Sequence, residues 1–227
     1  MTRADIIDTF RVECPEFSSS RSLTNPQLHV WCKQADKEIC AKTRCIVTDF
    51  TFNSVASTTV FTARHDLTAE ESKFYDIDDA SGGGVNFDNE PLEETSPAEL
   101  NEEDAYWQER SAGLPEKYYR RGKWLYFDRP VSSTYASKTI RVYASLISDD
   151  FDDDNKTPFN QLGYLENFHY AIVLYLIKKA KAKGEKQAEL KAIQEYNEFV
   201  KWMAKEVSGA KARPIQMTPS SAYQPQS

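Results

Sequence analysis

The stretch Thr95–Leu146 constrains the fold of this chain more than any other part. It reads TSPAELNEEDAYWQERSAGLPEKYYRRGKWLYFDRP, then a spacer, then TIRVYASL. Ser96-Pro97-Ala98-Glu99 is a capping box: the serine side chain takes the backbone N–H of the third helical residue while the glutamate reaches back, and proline in the first turn costs no hydrogen bond. A short acidic helix from there to about Trp107 is predicted, and Gly113-Leu114-Pro115 breaks it. Lys117–Arg120 and Trp124–Asp128 then read as a hairpin turned at Arg121-Gly122, with Tyr119, Trp124, Tyr126 and Phe127 supplying its apolar contacts. Thr139–Leu146 places Ile140, Val142, Ala144 and Leu146 on one side, the period of a half-buried strand. No enzymatic chemistry requires this order of pieces.

Helical patterns flank the segment. Thr2 caps a first helix with Ile6, Ile7 and Phe10 on one face, and Pro15 ends it. A serine-rich loop, SSSRS, leads to Thr24-Asn25-Pro26-Gln27, a second capping box, followed by Leu28, Trp31, Cys32, Ala35 and Ile39 at helical spacing. From about Cys45 the composition shifts: TDFTFNSVASTTVFTAR and KFYDIDDAS are rich in Thr, Val and Phe and predict strands, with a turn at Asn53-Ser54 and a glycine loop at Gly82–Gly84. Beyond an acidic linker, a helical run from about Leu162 to Lys183 carries Leu165, Phe168, Ile172, Leu176 and Ala180. Gly184 separates it from a second helix, to about Val207, with the stripe Ile193, Tyr196, Val200, Met203 and Val207. Two such helices joined by a short turn predict an αα-hairpin. The last segment, GAKARPIQMTPSSAYQPQS, has three prolines and no acid, and is expected to be extended or disordered when alone.

These patterns predict an α+β protein: a bundle of N-terminal helices and a C-terminal αα-hairpin, with a β-rich insertion and an extended C-terminal arm. The boundaries are 1–44 with 157–208 for the helices, 45–147 for the insertion, 148–156 for the acidic linker and 209–227 for the arm.

Charge and motif content exclude several function classes. The net charge of -7 argues against nucleic acid as the main ligand, because phosphate contacts need clustered Lys and Arg. Between Asp66 and Asp104 stand fourteen acids and a single lysine, Lys73, a block expected to be a solvated face or a mobile loop. Lys178, Lys179, Lys181, Lys183 and Lys186 cluster near the turn of the helix pair, with no aromatics between them in the sequence, and also read as a solvated face. Cys14, Cys32, Cys40 and Cys45 form no CxxC pair and have no histidine at zinc spacing; Cys32 falls on an apolar helix face as a buried thiol. His29, His65 and His169 form no metal motif, and no nucleophile elbow, phosphate-binding Gly-Lys loop or dinucleotide fingerprint occurs. Asp150-x-Asp152-x-Asp154 copies the start of a calcium loop but has Asn155 where the glycine belongs and Gln161 where the bidentate glutamate belongs. No apolar run approaches a membrane span, and MTRADIIDTF is not a signal peptide. No cofactor or metal is expected, and the chain does not read as an enzyme.

The ordered set of pieces resembles the head–tail adaptor, or connector, proteins of tailed phages over roughly residues 20–208. The matching pieces are the capped helix Ser96–Trp107, Gly113-Leu114-Pro115 with Tyr118, the strand Lys123–Asp128, Pro130, the strand Ile140–Leu146 and the step Thr157-Pro158-Phe159 back into helices. The glycine-rich acidic insertion Gly82–Thr95 is longer than the family's minimal pattern. The resemblance implies a structural virion protein at the neck between capsid and tail, assembled in host cytoplasm as a homo-oligomeric ring, twelve-fold in the family. Its implied partners are the portal protein, the tail tube, nozzle or fibre proteins, and genome DNA passing through during ejection, with no membrane. A tail-completion or nozzle subunit is the alternative. The same resemblance assigns the arm, with Arg213, Pro214, Ile215, Met217, Pro219 and Tyr223, to the portal, and Tyr118, Tyr119, Trp124, Tyr126 and Phe127 to the tail-facing insertion. Glu93, Glu94, Glu99, Glu102, Glu103 and Asp104 are candidates for a charged bore or interface.

Overall fold

In this computed structural model residues 1–17, 23–78, 83–149, 151–182 and 186–211 are described, with side chains as far as Ser208. The elements in chain order are α1 (Arg3–Glu13), α2 (Asn25–Thr43), β1 (Val47–Asn53), β2 (Arg64–Asp66), α3 (Leu67–Glu70), β3 (Phe74–Ile77), β4 (Val85–Phe87), β5 (Glu90–Pro91), β6 (Glu93–Glu94), α4 (Pro97–Glu103), β7 (Lys117–Arg121), β8 (Trp124–Phe127), β9 (Thr139–Leu146), α5 (Tyr170–Lys181) and α6 (Lys186–Lys211). The mixture of helices and sheets is the expected α+β class.

Helix starts follow the caps. Thr2 Oγ1 accepts from Asp5 N at 3.2 Å and Asp5 Oδ2 accepts from Thr2 N at 2.8 Å, closing the box that opens α1. Thr24 N donates to Gln27 Oε1 at 3.2 Å at the start of α2. That helix ends at Arg44, which turns the chain through the left-handed region at φ 50°. Helices α1, α2, α5 and α6 pack together around one apolar core that includes Phe10, Leu28, Ile39, Ile172, Leu176, Tyr196 and Met203. Residues far apart in sequence close this layer: Phe151, from the predicted linker, is buried in it. Asp154 of the same segment pairs with Arg3 at 2.8 Å, and Arg3 N donates to Lys156 O at 2.9 Å.

The β part is two sheets. In the first, β9 pairs antiparallel with β1 along one side, and with β3 and β4 in succession along the other, β5 extending beyond β4. In the second the order is β2-β8-β7-β6, with β6 parallel to β7. The sheets share a core that includes Phe52, Phe74, Phe87, Tyr118, Leu125, Phe127, Ile140 and Val142. On its other face the second sheet has a smaller cluster, in which Tyr119 and Tyr126 meet Leu100, Trp107 and Val60. The alternation of β9 serves both cores: Ile140, Val142 and Ala144 fill the sandwich, and Leu146 enters the helical core beside Ile46, whose carbonyl accepts from Leu146 N at 2.9 Å.

Several expectations are corrected. The helix predicted from Leu162 begins at Tyr170, because Phe159, Asn160 and Gln161 all have φ between 52° and 59° and the chain then runs through 3-10 turns to Phe168. Leu165 and Phe168 are buried all the same, so the periodicity reported burial rather than helix type. The helix at Pro97 stops at Glu103 and a separate 3-10 turn holds Trp107. No turn forms at Asn53-Ser54; Ser54 continues alongside Lys138, its N–H donating to Lys138 O at 2.8 Å and its hydroxyl to Tyr135 O at 2.7 Å. The stretch before Arg64 is a turn rather than a strand, because Thr59 and Thr62 exchange side-chain and backbone hydrogen bonds, Thr62 N donating to Thr59 Oγ1 at 3.2 Å. Finally, α6 continues to Lys211, so the first residues assigned to the arm are helical. The SSSRS loop at 18–22, Gly82 and residues 212–227 lie outside the described residues.

Candidate functional site

The segment that dominated the sequence reading is built around one buried carboxylate. Asp128, 1% exposed, accepts from Glu116 N at 3.0 Å and Lys117 N at 3.1 Å through Oδ1. Its Oδ2 faces Arg110 Nη1 at 3.3 Å and Arg129 Nε at 3.1 Å. Removing this carboxylate from water is offset by those two guanidinium groups and two amides, which also anchor the residues after the Gly113-Leu114-Pro115 break. Gly113 N donates to Pro130 O at 2.9 Å, and a Cβ at Gly113 would come within 3.4 Å of the Arg129 side chain. The hairpin turn at Gly122 has φ +62°, a conformation that glycine adopts without strain.

Of the aromatic residues assigned to the tail side, Tyr118, Tyr119, Tyr126 and Phe127 are buried and Trp124 is half-buried. Register explains this: Tyr118 opposes Phe127 and Tyr119 opposes Tyr126, so the first pair faces the sandwich core and the second faces α4. Tyr119 and Tyr126 stack at 5.0 Å, and burial pushes the Tyr119 phenol up to about 12. Within one chain these residues set the shape of the β unit. Trp124 carries Arg64 over its ring at 4.3 Å and Lys123 at 4.9 Å.

Three of the six acidic candidates, Glu93, Glu103 and Asp104, are engaged by cations that follow them in sequence. Glu103 pairs with Lys117, whose pKa it raises, and Glu93 lies 3.5 Å from the same ammonium. Asp104 accepts from Tyr106 N at 2.9 Å and from Arg110 Nε at 3.2 Å, and both hold its carboxyl below the usual range. Glu99 closes the capping box with Ser96 N at 2.8 Å, and that serine and Thr95 lower its pKa. Glu94 lies on β6 beside Tyr118, and Glu102 is exposed on α4.

A second charged cluster joins three parts of the chain. Asp76 on β3 pairs through Oδ2 with Arg44, at the end of α2, and through Oδ1 with Arg120 on β7. Arg120 also donates to Tyr75 O at 2.9 Å and Gly122 O at 2.6 Å and lies over the Phe74 ring. One carboxylate therefore ties the helical layer to both sheets, at the edge of a polar cleft of about 480 Å³ that Glu94 also lines.

The lysine cluster differs from expectation. Lys178 is half-buried, with its ammonium 3.8 Å from the Tyr196 ring centre, 4.4 Å from that of Tyr175 and 3.5 Å from Glu38 Oε1. Burial lowers its pKa. Aromatics absent between the lysines in sequence are supplied by the fold, and Lys181 pairs with Glu16. Lys178 is thus a packed residue of the helical layer rather than part of a solvated face.

The histidines and cysteines show packing rather than catalytic geometry. His65 sits between Phe52 at 4.4 Å and Phe127 at 6.1 Å, and burial lowers its pKa. His29 faces Asp154 at 3.3 Å. His169 is buried, 2.7 Å from the Met1 amine, and desolvation pushes it down to about 4. The four thiols are buried and unbridged; burial pushes Cys32 up to about 12, and Cys40 and Cys45 stand 3.8 Å apart. Among the described residues no group of His, Cys, Asp or Glu forms a metal site, and no helix is long and apolar enough to cross a membrane. The arm residues Arg213, Pro214, Ile215, Met217, Pro219 and Tyr223 lie outside the described residues.

The helical layer carries an aromatic surface that the sequence patterns did not predict. Phe199 and Trp202 on α6 meet at 5.2 Å, Trp202 meets Phe168 at 5.0 Å, and Tyr170 meets Phe199 at 6.0 Å. The available signal was that Trp202 falls off the apolar stripe of its helix, where a large aromatic has no core to enter.

Residues 1–218 match the family described as SU10 adaptor protein. The chain belongs to that family. It is a phage adaptor protein, of a family of structural phage proteins, and such adaptors bind other structural proteins of the phage. No curated protein matches the chain.

Proposed function

We propose that this adaptor assembles with copies of itself into a ring at the virion neck, the helical layer toward the portal and the β unit toward the tail, with genome DNA passing through the bore. The observation that carries this reading is the two-part build of a single adaptor-family chain: a helical core built from α1, α2, α5 and α6 and a β unit with its own cores, joined at the Arg44–Asp76–Arg120 cluster. Two unlike surfaces on one subunit suit the head-to-tail contacts of a ring and the two unlike layers it must join. In this scheme residues 209–227 form the portal-binding arm, and the exposed Glu102 and its neighbours on α4 belong to a bore that does not grip DNA.

The test is a pulldown of the purified adaptor against the portal and the tail proteins of the same phage, repeated with a chain ending at Lys211. Capture of the portal by the full chain, weakened by the truncation, supports the reading. Capture of tail proteins alone favours a tail-completion or nozzle subunit.

A further inference from the structure

The aromatic surface on the helical layer forms a groove of about 500 Å³ between α5 and α6, lined by Tyr170, Leu174, Phe199 and Trp202 and edged by Glu195 and Glu198. Trp202 is 44% exposed although its ring meets Phe168 and Phe199. The rim is acidic. Glu198 accepts from the neutral Gln194 at 2.9 Å, and Glu13 accepts from Tyr170 Oη at 2.8 Å. Glu195 lies 3.8 Å from the exposed Lys191. An aromatic trough with acidic edges is suited to an extended, proline-containing segment without acids, since such a segment lays apolar side chains on the rings at low entropic cost and is not repelled by the rim.

The chain contains such a segment. Residues 212–227 hold Arg213, three prolines and the apolar Ile215, Met217 and Tyr223, without one Asp or Glu. They follow directly from α6, which ends at Lys211, nine residues beyond Trp202. At 1.5 Å per helical residue that is about 14 Å, which about four extended residues cover at roughly 3.3 Å each. A segment that reverses over about two residues and then runs back extended would bring Met217 level with Trp202, with Arg213 in the reversal and out of reach of Glu195 and Glu198.

We propose that residues 212–227 of the same chain dock in this groove before any partner is bound. The inference does not depend on what the arm later binds. If the arm is the portal-binding segment, docking holds it against the helical layer until the portal displaces it.

The test places the photo-crosslinking residue p-benzoylphenylalanine at position 216 in the full chain, without portal. On irradiation the expected product migrates as a single chain, and its peptide map joins position 216 to the peptide carrying Phe199 and Trp202. Trp202→Ala is expected to lower the yield of that product several-fold while the circular dichroism spectrum is unchanged. Cross-links only between chains, cross-links only outside α5 and α6, or a yield unaffected by that substitution in a folded protein would each overturn the proposal. None of these outcomes decides whether the portal is bound, so the two readings fail separately.

Discussion

The helical layer and the β unit are stabilised in different ways. The layer is held by apolar side chains at helical spacing, from Phe10 and Leu28 to Ile172 and Met203. The β unit has short strands, several of two to four residues, and irregular connections held by charge: Asp128 fixes the break after Gly113, and Asp76 fixes the junction. Burial of apolar surface is non-directional and tolerates small changes of shape, whereas a buried carboxylate with four donors is directional and fails sharply when it is removed. Loss of one methylene from the layer should therefore matter less than loss of one carboxylate from the β unit.

The largest effect should follow Asp128→Ala, which removes the buried acceptor shared by Arg110, Arg129 and two amides; a loss of about 3–5 kcal/mol is expected, read by urea unfolding followed by tryptophan fluorescence. Its counterpart in the layer, Ile172→Val, should cost only about 0.5–1.5 kcal/mol, and equal losses would break the comparison.

The layer has a directional liability of its own in His169. Its folded pKa, about 4, lies below the ordinary 6.5, so the unfolded chain takes up the proton first. Stability should fall as pH drops from about 6.5 to about 4, by something of order 2–3 kcal/mol, and this group should add no further slope below that. His169→Gln should flatten the dependence in this window, measured as the urea midpoint against pH.

Asp76→Ala should cost less, about 1–3 kcal/mol, because the site is partly open to water. Its informative effect is on cooperativity: calorimetry of the variant should resolve two transitions where the parent shows one. The smallest effect should come from Gly122→Ala, where nothing obstructs a Cβ but φ is +62°, a loss of about 1 kcal/mol in thermal unfolding.

The same contrast explains what the sequence made legible. The caps at Thr2 and Ser96, the hairpin at Gly122 and the alternation of β9 are local patterns with local causes, and they were readable. The late start of α5 was not, because Phe159–Gln161 reach the left-handed region in a context that includes Asp36, which lies 123 positions away and accepts Phe159 N at 2.8 Å. Lys178 among tyrosines, and the cations that engage Glu103 and Asp104, likewise depend on residues brought together only by folding. The aromatic groove arises from two helices that each look ordinary alone.

In the proposed assembly copies of this 26.0 kDa subunit form a ring that joins portal and tail. Native mass spectrometry of the purified protein, alone and mixed with portal, distinguishes that ring from a monomer. The expected species is a complex with portal that contains many copies of this chain, close to twelve if the family's symmetry holds. A mass of one subunit under both conditions would contradict that assembly.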